Sequence, residues 1–317
     1  MPAYDARTDR TIEWLLDSDE PAVRHLTRRD LLDQESSVDR NAITRGPRVS
    51  ALLAGQQSDG GFGVHPYSKW TGAHWRLVSL VELAIPPGHP GAVRAAGTVL
   101  DWLTSEAHRS RITTADGLTR RCASQEGNAL AVASRLGMAD DPRARLLAIS
   151  LVGWQWPDGG WNCDVKGKVA SVHETHPPMW GLHEYGVAAG DEAAAEAARR
   201  AAEVFLSRRL FRSKRTGEVI KKEWLAIHYP PYWHYDVLQG LLVLGRLGLA
   251  ADPRAAEALD HLERRRLDDG RWRPGAYWWS PPGGGGRQQD VVDWGRSGPN
   301  EMITLNALRV LKTAGRL

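Results

Sequence analysis

The sequence predicts an all-α fold of six helical hairpins in series. Three observations carry that expectation. First, an Asp-Gly turn followed by an aromatic residue recurs after amphipathic runs, as GQQSDGGFGV at 55–64, WQWPDGGWNC at 154–163 and RRRLDDGRWRP at 264–274. Second, long helix-period patterns fill the intervals between these turns and nothing reads as a strand ladder. Third, short connections at one end of each pair alternate with longer, polar, glycine-rich ones at the other. About six such pairs can close a ring with one helix of each pair inside and one outside.

Each pair has its own start and stop signals. The first helices are expected at Asp9 to Leu16, Pro47 to Gln56, Ala92 to Thr104, Pro142 to Gln155, Glu192 to Arg209 and Pro253 to Arg266. Pro47, Pro142 and Pro253 suit a first helical turn, where the missing N–H costs nothing. The second helices are expected at Pro21 to Leu32, Ala73 to Leu83, Cys122 to Leu136, His176 to Gly186, Trp233 to Leu247 and Asn300 to Thr313. Several end at glycine, as in RLGMADDPR and RLGLAADPR, and the next helix follows at once.

Composition bounds the function. With 317 residues, 42% hydrophobic and 25% charged, the chain reads as one domain over 1–317 with a sizeable core. It has no long apolar run and therefore no expected transmembrane segment. Its start, MPAYDARTDRTIEWLL, has no apolar signal core, so a cytoplasmic location is expected. A net charge of +3 is too mild to argue for nucleic acid. The run RRLFRSKR at 208–215, with Lys221 and Lys222, is the one local candidate for a polyanion. Two cysteines, Cys122 and Cys163, make no disulfide framework. The 14 tryptophans against 3 phenylalanines suit a core, or a cavity for an apolar or cationic ligand.

Gln56-Gln57-Ser58-Asp59-Gly60-Gly61-Phe62 and Gln155-Trp156-Pro157-Asp158-Gly159-Gly160-Trp161 resemble the glutamine–tryptophan repeat of squalene cyclases and the related repeats of protein prenyltransferase β subunits. The resemblance covers most of the chain and is nearest to bacterial single-domain proteins with such repeats. It implies an (α/α)6 toroid, six inner helices running parallel inside six outer ones, with the Gln and the aromatic ring tying a helix end to the next turn. It also implies a terpenoid cyclase-like or prenyltransferase-like enzyme. The Asp-x-Asp-Asp acid motif of class II cyclases is absent, as is the Asp-Asp-x-x-Asp ionisation motif.

Parallel inner helices would gather their N-termini at one rim, neighbouring axes being ~8–10 Å apart, where unpaired N–H groups favour anions. Chemistry-bearing residues concentrate at these starts. Cys122, Cys163, His173 and His234 are the candidate metal ligands, with His176 or Asp236 as substitutes, and zinc the candidate metal. The resemblance implies the same metal: WHYDVLQGLLVLG resembles the segment carrying a prenyltransferase zinc histidine, which falls on His234. The accompanying Asp-x-Cys pair would fall near Ser171-Val172-His173, where neither residue is retained, so Cys163 would have to substitute. In a metal-free rim, Asp164, His173, His176, His234 and Asp236 are candidate acid–base groups, and Glu174 joins Asp164 and Asp236 as a candidate acid.

Trp70, His74 and Trp75, then Tyr229, Tyr232 and Trp233, then Trp278, Trp279 and Asn300 are candidate substrate-lining residues. The loop RPGAYWWSPPGGGGRQQDVVDWGRSG at 273–298 can act as a lid or be a plain surface insertion. The leading expectation is an enzyme acting on a small isoprenoid or polycyclic molecule. Alternatives are a non-catalytic toroid holding a hydrophobic ligand or partner peptide, and polyanion binding through 208–222. A partner protein or homo-oligomer stays open.

Overall fold

The computed structural model describes residues 4–285 and 288–317, and the fold is all-α. In chain order the helices are α1 (Ala6–Leu16), α2 (Pro21–Leu31), α3 (Ser37–Ala42), α4 (Pro47–Leu53), α5 (Ala73–Glu82), α6 (Pro90–Thr104), α7 (Glu106–Arg109), α8 (Ser124–Arg135), α9 (Pro142–Trp154), α10 (Val172–Ala189), α11 (Glu192–Leu206), α12 (Val237–Arg246), α13 (Ala256–Arg264) and α14 (Glu301–Thr313). All twelve expected helices are among them. The short α3 and α7 were not expected, because four to six residues hold too little apolar period to read.

Caps account for two of the boundaries that moved. Helix α12 starts at Val237, not Trp233, because the Asp236 side chain accepts from the Gln239 amide and fixes the N-cap there. Helix α10 starts at Val172, not His176, because Ser171 caps it, and it carries Pro177 and Pro178 inside. A small hairpin, β1 (Thr113–Ala115) with β2 (Leu118–Arg120), was also not expected. Its turn, Asp116-Gly117, has both residues at positive φ, as a tight hairpin requires, but three-residue strands leave no alternation to read.

The chain divides into two compact units. The first holds Met1–Ala54, Glu82–Pro86 and Leu206–Leu317, and the second holds Gly55–Val81 and Pro87–Phe205. In the first unit, α2 packs on α1 and α14, α14 on α12, and α12 on α13. In the second, α8 packs on α6, α9 and, most extensively, α10.

The recurring turn is closed the same way in its two glutamine copies. Gln56 Nε2 donates to the carbonyls of Gly60 and Gly91, at 2.9 and 2.8 Å. Gln155 Nε2 does the same to Gly159 and Ala197, both at 2.8 Å. One bond closes the turn and the other ties it to the next first helix, α6 or α11. Gly60, Gly159 and Gly270 sit at φ +91°, +93° and +90°, where a side chain is strained. Trp161 is 1% exposed and Trp272 is 0% exposed, and both donate an indole N–H back to the helix they follow, at Leu151 and Leu262. The expected structural role of these residues is therefore what they perform.

The second unit depends on an unusually close approach of α8 and α10. A Cβ on Gly181 would lie 2.2 Å from the Gly127 carbonyl oxygen, and one on Gly127 would lie 2.3 Å from the Pro178 nitrogen. Only glycine on both sides lets the backbones meet.

Candidate metal centre

Three segments of the second unit converge at the start of α8. Strand β2 ends at Arg120, which pairs in a parallel bridge with Asn162, and the Arg121 amide donates to the Asn162 carbonyl at 3.3 Å. Cys163 follows Asn162 directly and Cys122 comes two residues after Arg120, so the bridge brings the two cysteines near each other. Arg120 is 4% exposed and stacks on Trp156 at 4.5 Å. Its guanidinium donates to the carbonyls of Asp164 and Gly167 at 3.1 and 2.8 Å, which holds the Cys163 loop in place.

The third segment is α10. Ser171-Val172-His173-Glu174 reads as a capping box, but the Glu174 side chain does not return to its own cap. The Gly127–Gly181 contact brings α8 so close that Glu174 Oε2 instead accepts from the Ser124 amide, at 3.1 Å. Its Oε1 faces Cys163, whose Sγ lies 3.8 Å away as a donor. The two sulfurs and a Glu174 oxygen all lie within 4.8 Å of one another.

The electrostatics follow from this crowding. The Cys122 S–H donates to Cys163, which holds the Cys163 thiol below its ordinary range. The same bond, then burial and the Glu174 charge, push Cys122 up. Burial raises Glu174 as well, against the lowering effect of the Ser124 amide. Three acidic groups thus share a site that disfavours three negative charges, and a cation relieves this. Arg121 stands beside them, donating to Glu126 at 2.7 Å and to Gln125 at 3.1 Å. Tyr67, bonded to Gln125 and raised by burial, feels the Cys122 and Glu174 charges. Its ring meets Trp75 at 5.2 Å and Trp102 at 5.6 Å, so an aromatic wall borders the polar group.

The other expected residues lie as follows. His173 is half-buried on α10 but is not part of the group. It precedes Glu174 by one residue, about 100° around a helix. His176 packs edge-on against Phe205 at 6.3 Å. Asp164 is exposed and shapes its own turn, accepting from the Lys166 amide at 2.9 Å. Trp70 and Trp75, each 1% exposed, pack edge to face in the core. His74, also 1% exposed, lines a small cavity with Leu77, Val99, Leu100 and Val132, and burial drives its pKa down to about 3.

In the first unit, His234 is stacked between Trp233 and Trp278, each 3.9 Å away. Asp236, 0% exposed, caps α12 and lies 2.6 Å from His228 Nδ1. Tyr229 is buried against Trp294, with Trp279 donating to its carbonyl at 3.2 Å. Tyr232 donates to Asp290, which also accepts from Trp294 at 2.8 Å. Asn300 caps α14 and donates to the Trp294 carbonyl.

The 273–298 loop is anchored at Trp278, Trp279, Asp290 and Trp294, and its residues 286 and 287 lie outside the described residues. In the basic 208–222 segment, Arg212 is bonded to Glu257 and Arg209 lies 3.9 Å from the same carboxylate. No helix among the described residues is long and apolar enough to cross a membrane.

Glu174 is one of the three candidate acids in the sequence. Its place beside both sulfurs was not legible, because it depends on the α8–α10 approach. Tyr67 and Gln125 had no signal in the sequence.

No protein-family model and no curated protein matches the chain. A solved structure, described as a crystal structure of a protein from Actinoplanes, aligns over 98% of this chain and 99% of its own, at 18% identity and a TM-score of 0.45.

Proposed function

We propose that the protein is a zinc-dependent enzyme acting at Cys122, Cys163 and Glu174 on a small, largely apolar substrate of the isoprenoid or polycyclic class. The observation that carries the reading is the convergence of two sulfurs and a carboxylate within 4.8 Å, from three segments of chain. Two thiolates and one oxygen are a donor set that suits zinc, and three protein ligands leave a fourth position open, the pattern of catalytic sites. Zinc bound there would supply Lewis acidity towards an oxygen of the substrate. Arg121, ion-paired with Glu126, would place a positive charge beside the two thiolates and the carboxylate. Tyr67 and the rings beside it would orient the apolar body of the substrate. The repeat resemblance is what suggests the substrate class.

The test is metal analysis of protein purified without a histidine tag. Stoichiometric zinc is expected in the wild type, lost in Cys163→Ala and Glu174→Gln, and kept in His234→Ala. A well-folded wild type without metal, or variants that keep it, would sink the site. Incubation with isoprenoid diphosphates and polycyclic lipids then separates enzyme from binder, since a binder returns the ligand unchanged.

A further inference from the structure

We infer that Cys163 and Cys122 are also a site of reversible oxidative modification, in which a hydroperoxide converts the pair to a disulfide and takes both sulfurs from the metal. The loss of metal rests on the reading above; formation of the disulfide does not. Geometry argues for it in three ways. The two sulfurs already lie within 4.8 Å of each other, on segments joined side by side by the Arg120–Asn162 bridge. Their exposures differ as attack and resolution require: Cys163 is open to solvent and Cys122 is half-buried behind it. The chain has no third cysteine to compete.

Closing the pair asks for movement of only part of the structure. Arg120 grips the Cys163 loop by its backbone carbonyls, not by side chains, so the thiol can change rotamer while the loop stays in place. A disulfide needs S–S of about 2.0 Å, and residues 163–166 are exposed, so nothing on the solvent side resists the shift. The copy of the turn at 55–64 has Gly63 and Val64 here, which means the fold itself needs no sulfur at Cys163.

The chemistry balances with the hydroperoxide as the oxidant. The Cys163 thiolate attacks the terminal peroxide oxygen; an S–O bond forms, the O–O bond breaks, and the alkoxide leaves and takes a proton. The Cys122 thiolate then attacks the sulfenic sulfur; the S–S bond forms and hydroxide leaves, becoming water with the proton shed by Cys122. Two electrons pass from the thiols to the peroxide. A dithiol reductant reverses the change by exchange.

The experiment treats reduced, metal-free protein with hydrogen peroxide and maps peptides by mass. A Cys122–Cys163 cross-linked peptide, reversed by dithiothreitol, is expected. In Cys122→Ser, Cys163 should instead accumulate as sulfenic acid that dimedone traps, and Cys163→Ser should stay unmodified at Cys122. Wild type in which both thiols remain alkylatable, or in which Cys163 over-oxidises as readily as in Cys122→Ser, overturns the proposal. Cobalt(II) is the metal probe. A sulfur-to-cobalt charge-transfer band in reduced protein that disappears on oxidation supports the switch, and a band that survives oxidation overturns it. No band in reduced protein defeats the zinc reading, and the cross-link then decides the redox site alone.

Discussion

Arg120 is the side chain through which sequence-distant segments become one site. It is buried, it stacks on an indole of the recurring turn, and it spends its donors on the carbonyls of the Cys163 loop. Arg120→Ala should cost roughly 2 kcal/mol, since two charged hydrogen bonds are lost with the stacking. Urea unfolding checks the cost, and cobalt titration should show weaker binding even in the folded fraction. Unchanged metal affinity would mean that the loop finds its place without the clamp. Asp30, in the other unit, gives a prediction in pH. Burial pushes its carboxyl up, but Arg309 and Arg29 outweigh this and hold it at about 2, against 3.8. A depressed carboxylate favours the folded state when ionised, so its contribution is complete above about pH 5 and fades as pH falls towards 2. The shift corresponds to about 2 kcal/mol. Asp30→Asn should lose that much at neutral pH and show a flatter stability curve across the acid window; a curve parallel to wild type would contradict the pairing.

At the scale of elements, the packing of α8 on α10 decides whether the site exists. Gly181→Ala places a Cβ 2.2 Å from the Gly127 carbonyl oxygen, and a backbone atom cannot swing aside as a side chain end would. The helices must separate, at a cost of about 1–3 kcal/mol or more, and Glu174 moves away from Ser124 and Cys163 with them. Gly153, on an exposed face of α9 with nothing within 4 Å of its Cβ position, is the control. Gly153→Ala should stabilise by up to about 1 kcal/mol, because alanine is the better helix former. The same substitution thus has opposite signs in two helices of one unit. Denaturant midpoints test this, and a Gly181→Ala protein with wild-type stability would remove the close approach as the organising contact. This contact also explains what could be read in advance. The starts of α4 and α9 were legible from Pro47 and Pro142, since that signal is local, whereas the Ser171 and Asp236 caps went unread and left the expected starts of α10 and α12 four residues away. The partner of Glu174 was not legible, because it depends on two glycines fifty-odd residues apart meeting across a helix pair.

At the scale of the whole chain, the turn repeat is what made the helical hairpins readable, and deviation from it is what marked Cys163. The three copies differ in the residue that closes the turn. Gln56 and Gln155 each bond a turn carbonyl and a carbonyl of the next first helix. The third copy has Arg266, which could not be matched to a glutamine in the sequence. In the structure its Nε donates to the Gly270 carbonyl at 2.9 Å and its Nη2 to Thr8 Oγ1 of α1 at 3.0 Å. Arginine here makes the glutamine's two bonds, one to its own turn and one to a neighbouring first helix. If the copies are physically equivalent, Arg266→Gln should keep the Gly270 bond and change stability by no more than about 1 kcal/mol. Burial already penalises the Arg266 charge, which favours the neutral replacement further. Arg266→Ala should instead cost roughly 2 kcal/mol, because the Gly270 carbonyl loses its partner. Urea midpoints of the two variants decide the matter: a glutamine variant as unstable as the alanine one would mean that the third turn is held by charge, not by the bond geometry it shares with the other two.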